Sequence, residues 1–155
     1  MYNPTGNDYA YIGMNLPIPS ANIAETGYML AQRVKYTSVT SIGIVSTANS
    51  NLDGTGTLTT LITGANSGTL IRRIIIKAQS STTQGMIRFF FVANASVWII
   101  REVEVSAINQ ASTDQSFIAI IEEPFLLSST RSIKVSTEKA ETFIITVEAL
   151  NMTFP

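Results

Sequence analysis

Between Leu70 and Val105 the chain holds three runs rich in β-branched and aromatic residues, set apart by polar turn sequences. Such runs fold as strands and as little else. In Leu70-Ile71-Arg72-Arg73-Ile74-Ile75-Ile76-Lys77-Ala78, the residues Ile74, Ile76 and Ala78 share one face while Arg73 and Lys77 share the other, the signature of a half-buried strand. Ser80 to Gly85 is polar and ends in glycine. Met86 to Val92 (Met-Ile-Arg-Phe-Phe-Phe-Val) then carries too many large apolar side chains for one wet face and reads as a central strand. After the turn Asn94-Ala95-Ser96, Val97 to Val105 aims Ile99, Val103 and Val105 inward and Glu102 and Glu104 at water. The three runs predict a meander, and its apolar face requires a second sheet.

The same alternation recurs on both sides. Val39 to Val45 and Gly56 to Thr63 precede the central block, separated by the polar loop Ser46 to Gly54. Phe117 to Glu122 follows it, with Pro124 breaking or bending an edge that runs on through Phe125 to Leu127. Ser132 to Thr137 and Glu141 to Ala149 complete the set, and in the latter Phe143, Ile145, Val147 and Ala149 alternate cleanly with Thr142, Thr146 and Glu148. With no convincing helix, the expected fold class is all-β: a single eight-stranded antiparallel β-sandwich, jelly-roll-like. An immunoglobulin-like sandwich is less favoured, because its Cys, Trp, Cys landmarks are missing. A chain of 155 residues suffices for one such core without metals or disulfides.

Residues 1–36 differ in kind. Asn3-Pro4, Gly6-Asn7-Asp8, Gly13 and Leu16-Pro17-Ile18-Pro19 interrupt any regular element. Interleaved with them, Tyr2, Tyr9, Tyr11, Ile12, Met14, Leu16 and Ile18 are too apolar for a solvated linker. The expectation is an extended N-terminal arm, 1–36, that docks on a neighbouring subunit or folds back over its own sheet, followed by a sandwich domain, 37–155. Ala21 to Lys35 has room for a short helical turn around Glu25, which Gly27 keeps short.

Composition narrows the chemistry. There is no cysteine and no histidine, which removes thiolate and imidazole metal ligands, cysteine nucleophiles and the commonest general base. An enzyme is not expected, and neither is a cofactor or metal. A formal charge of −1 provides no basic field for nucleic acid. Charged residues are 14% of the chain, against about 25% in typical domains, so the surface must include Ser, Thr, Asn and apolar side chains and suits lasting contact with neighbours. No apolar run approaches the roughly 18 residues of a membrane span, and Met1 to Gly6 has no signal-peptide character, so a soluble chain without an export signal is expected.

Individual constellations are weak. Glu122-Glu123 points to opposite faces of a strand. Asp53-Gly54-Thr55-Gly56-Thr57 has one carboxylate where a calcium loop has several, and Asp-Gly is a favoured turn pair. Gly64 to Gly68 has no lysine or helix after it and so is no phosphate loop. Arg72-Arg73 is split between faces. Trp98, the single tryptophan, suits packing at the start of a core strand better than a carbohydrate platform. Arg101, inward between Ile99 and Val103, needs either a bulge that turns it out or a carboxylate partner.

Asn49 to Thr57, Leu70 to Ala78, Thr82 to Phe90, Arg101-Glu102-Val103 and Ser136 to Phe143 together resemble a family of small proteins encoded among tailed-bacteriophage structural genes. The resemblance covers Ser46 to Ala149, roughly two thirds of the chain. It implies a virion component, a capsid decoration or other accessory particle protein that assembles with other virion proteins and as a homo-oligomer. A carbohydrate- or receptor-binding module on the particle surface or tail is the alternative, with Trp98 or the Asp53 loop as ligand contact.

Overall fold

In a computed structural model, residues 34–154 are described. The expected arm contacts Tyr2, Tyr9, Tyr11, Ile12, Met14, Leu16 and Ile18, and the helical turn around Glu25, lie outside these residues. Period-two alternation becomes nine strands among the described residues: β1 (Lys35–Val45), β2 (Thr59–Thr63), β3 (Thr69–Ala78), β4 (Gly85–Ala93), β5 (Ser96–Val105), β6 (Ile118–Ile121), β7 (Phe125–Leu127), β8 (Ser132–Thr137) and β9 (Phe143–Thr153).

They form two antiparallel sheets. One runs β1-β9-β3-β6 with β7 also paired to β3, and the other runs β2-β8-β4-β5. Strands β6 and β7 pair with successive halves of β3, so they act as one edge strand broken at Pro124. Counted as one, they restore the expected eight, and the order becomes 1-8-3-6 against 2-7-4-5. That is the double Greek key of a jelly roll. The ninth strand exists because proline cannot donate to the ladder and the chain must re-register beyond it.

The expected three-stranded meander does not form. β4 and β5 make a hairpin, turning through Asn94 and Ala95 with φ of 49° and 65°. β3 instead lies in the opposite sheet, between β9 and the β6–β7 edge. A strand, a polar loop and a strand read identically whether the loop is a hairpin or an arch between sheets. Here the ends of β3 and of the following loop are held from elsewhere: Ala78 N donates to Phe117 O at 2.9 Å and Gln79 N to Thr142 O at 3.0 Å. The first and last strands are also longer than their alternation suggested, because β1 and β9 pair along their whole length, from Lys35 with Thr153 to Val45 with Phe143.

Inward-facing residues of both sheets make one core. Ile71, Ile76, Phe143, Ile145 and Val147 meet Ile87, Phe89, Ile133 and Val135, all 2% exposed or less. Phe117 packs edge-on against Phe143, with ring centroids 6.3 Å apart. On the β1–β2 side the sheets are tied by side chain to backbone: Ser41 Oγ donates to Leu61 O, and Thr59 Oγ1 donates to Ile44 O at 3.4 Å. Among the described residues the β5 and β6–β7 side has no equivalent tie from side chain to backbone and is open, which places the surfaces described next.

Candidate interaction surfaces

Outward-facing residues of the five-stranded sheet fall into rows fixed by the strand register. One row runs Ile44, Ile144, Lys77, Ile118, and the next runs Ile42, Thr146, Ile75, Ile120. A third holds Thr40, Glu148 and Arg73, and a fourth Ser38, Leu150, Leu70 and Leu126. Ile42 is 66% exposed, Ile44 59%, Ile120 53% and Leu126 57%. Aliphatic residues thus predominate at each end, with Lys77 among those of the first row, and a charged band lies between. Exposed single apolar residues are ordinary, but a contiguous face of them marks a contact surface.

The band is an ion pair within the sheet. Arg73 Nε and Nη2 donate to Glu148 Oε2 and Oε1 at 2.8 and 3.0 Å, a two-pronged geometry. The hydrogen bonds from Arg73 hold the Glu148 carboxyl below the usual carboxylate range, and Glu148 raises the Arg73 guanidinium in turn. Both side chains remain substantially exposed.

The second surface is the open side of the sandwich. A cavity of about 270 Å³ enters between the sheets there, reaching core residues Ile71, Phe89 and Ile133, with Pro124 and Phe125 on one lip and Ile100 on the other. Arg101 Nη1 and Glu123 Oε1 close over it at 2.6 Å. The register shift opposite Phe89 and Phe90 inserts Ile100 as a bulge residue. It turns Ile99, which pairs with Phe90, to the outer face, where it is 39% exposed against the inward placement expected; Arg101, paired with Phe89, stays on the inner side at the open edge and meets the carboxylate of Glu123 instead of being turned out. The slot can accept a single apolar side chain, and its charged lining is the Arg101–Glu123 pair.

Trp98 stands on this side too. Its ring lies 5.9 Å from Phe91, which in turn meets Phe125 edge-on at 5.8 Å and carries the Arg131 guanidinium 5.8 Å from its centroid. Trp98 is 51% exposed, so it caps an aromatic stack at an edge rather than filling the core as its sequence position suggested.

Asp53 is elsewhere. Its Oδ1 accepts from Thr55 N at 3.0 Å and Thr55 Oγ1 at 2.7 Å, closing a local turn. Those bonds, the side chain of Thr55 first, lower its carboxyl below the ordinary value. The turn belongs to the long loop from β1 to β2, not to a hairpin. Gly54, at φ +79°, lets the loop lie against Val97 and Phe90, on the face of β5 opposite Trp98. Asp53 and Trp98 therefore do not share a site. Among the described residues no group of three metal-ligating side chains occurs.

The aliphatic face was missed because Arg73 and Lys77, and Thr146 and Glu148, dominate the reading of their faces. Its signal was present: Ile74-Ile75-Ile76 and Ile144-Ile145 put isoleucine on both sides of a strand.

Comparison with known proteins adds little. No protein-family model matches the sequence, and no curated protein does. Among solved structures, the chain is similar to that of the extra small virus virus-like particle of the giant freshwater prawn Macrobrachium rosenbergii, determined by cryo-EM. Identity is 11%, coverage is 94% of this chain and 96% of that one, and the TM-score is 0.30. Strand order, not this likeness, identifies the jelly roll.

Proposed function

We propose that this protein is a non-enzymatic structural component of a virion, a capsid decoration or other accessory protein of a tailed-phage particle that works by protein–protein assembly. The observation that carries the reading is the aliphatic outer face of the five-stranded sheet, which nothing among the described residues covers and which a neighbour in a lattice would. The sequence resemblance to tailed-phage structural proteins and the low content of charge support the same reading, as does the jelly-roll order, an architecture used by viral capsid domains and by lectins. Fold alone does not decide between those uses. In this reading residues 1–36 contact neighbouring subunits, and the protein reaches the virion by assembly in the host cytoplasm.

Mass spectrometry and cryo-EM of purified particles test it. The protein is expected at a regular, repeated position; its absence from mature particles overturns the proposal. The half-exposed Trp98, seated on Phe91, favours a second reading as a surface module that binds carbohydrate. That reading expects saturable glycan binding that Trp98→Ala abolishes, and calorimetry or a glycan array without binding removes it.

A further inference from the structure

We infer that two copies of this chain pack the outer faces of their five-stranded sheets together, about a twofold axis that runs along the strands between β9 and β3. The inference rests on the assembly reading above and names the surface and the partner. Register alone brings out the match. A rotation about that axis exchanges β9 with β3 and β1 with β6, while each row stays opposite itself. Ile42 of one copy then faces Ile120 of the other, Ile44 faces Ile118, Leu150 faces Leu70 and Ile75 faces Thr146, while Lys77 comes over Ile144. Arg73 of one copy comes over Glu148 of the other, and the reverse. A twofold axis across the strands would instead set Arg73 on Arg73 and Glu148 on Glu148. The band is thus complementary to itself in one orientation, which is the requirement for a closed symmetric pair.

Size agrees. Strand spacing of about 4.8 Å and a rise of about 3.3 Å per residue give the face roughly 20 by 30 Å. Burying it removes about 600 Å² on each copy, about 1,200 Å² in total, the lower limit of a specific interface and more than most incidental contacts. Sheets related this way stack with strands nearly aligned, as sandwich sheets do. With a formal charge of −1 on each copy, no long-range repulsion opposes the pair.

Sedimentation of the full chain and its variants tests the inference. Wild type is expected to sediment as a dimer. Arg73→Glu gives each copy two acids in the band and Glu148→Arg gives two bases, so each variant alone is expected to lose affinity by about 100-fold or more. Mixed in equal amounts they are expected to form a heterodimer, a recovery that an ion pair within one chain cannot produce. Ile120→Asp, remote from the band, is expected to dissociate the pair as well, and circular dichroism establishes that each variant is folded. A monomeric wild type, variants that stay dimeric, or a mixture that fails to associate overturns the inference. Each of those results leaves the virion reading standing if the protein is found in particles. Absence from particles sinks that reading and leaves a measured dimer untouched.

Discussion

Phe90 and Ile75 occupy matching places, each pointing outward from a central strand, on β4 and β3. Phe90 is wholly buried, because the loop from Ser46 to Leu58 lies over it. Ile75 and its row neighbours Ile42 and Ile120 have no such cover among the described residues. The loop is a built object. Asn49 Nδ2 donates to Thr55 O and Thr57 O at 2.9 and 3.0 Å, and Asn49 N donates to Thr137 O at 2.7 Å, fastening the loop to β8. Beside Phe90, the nearly buried Arg88 lies 3.0 Å from Glu102 and 3.6 Å from Glu138. The centre of one sheet is therefore closed by its own chain, over Phe90 and beside the nearly buried Arg88. The other presents aliphatic residues around an ion pair left half in water. A strand that is apolar on both sides must find a second layer, and the two sheets find it in different places.

Breaking the covered face has the largest effect. Phe90→Ala empties a fully buried site outside the main core, and a loss of about 3–5 kcal/mol in denaturant unfolding is expected. A loss below about 1 kcal/mol, the range of exposed positions, would mean that the loop merely rests on the sheet.

Gly54→Ala is next. It forces a side chain into a left-handed backbone at φ +79° and against Val97. A cost of about 1–2 kcal/mol from the backbone alone is expected. Hydrogen exchange should show faster exchange at the Asn49 amide, the loop's anchor to Thr137. Unchanged protection there would show that the loop is held without the close approach at Gly54.

Part of this contrast is legible in the sequence. Ser132–Thr137 is a strand with the bounds that alternation predicts, and the Asn94-Ala95 turn joins β4 to β5 as its residue types indicate. Pairing beyond the hairpin is not legible: nothing local tells the loop after Ala78 to cross between sheets. Phe90 and Ile75 both read as outward or surplus apolar residues, and only the three-dimensional path of a polar loop, Ser46 to Leu58, decides which becomes core. Asp53 was legible as a turn residue. Its real use, to shape the loop that buries Phe90, depends on contacts distant in sequence.

The ion pair responds to acid. Because Arg73 holds Glu148 below the ordinary glutamate value, the folded chain takes up that proton less readily than the unfolded chain. The pair's stabilisation is therefore complete above about pH 4.3 and is lost as pH falls through the lower folded value. Asp53 contributes in the same direction below the ordinary aspartate value. Glu148→Gln should flatten the acid limb of the melting-temperature profile and leave the Asp53 part; an unaltered limb would show that the pair is broken in solution.

The smallest effect on the fold is expected where the contrast is sharpest. Ile42 keeps 66% of its surface in water, so Ile42→Ser in dilute solution should change unfolding free energy by no more than about 0.5 kcal/mol. That near-silence separates the two faces, since the comparable truncation at Phe90 removes several times as much. Concentration supplies the second half of the test. If a second copy covers Ile42, the wild-type melting temperature rises with protein concentration, because association stabilises the folded state by mass action. Ile42→Ser should blunt that rise while matching wild type at the dilute end. A serine variant that already melts early when dilute would place a cover on Ile42 within the single chain, and the distinction drawn between the sheets would fail.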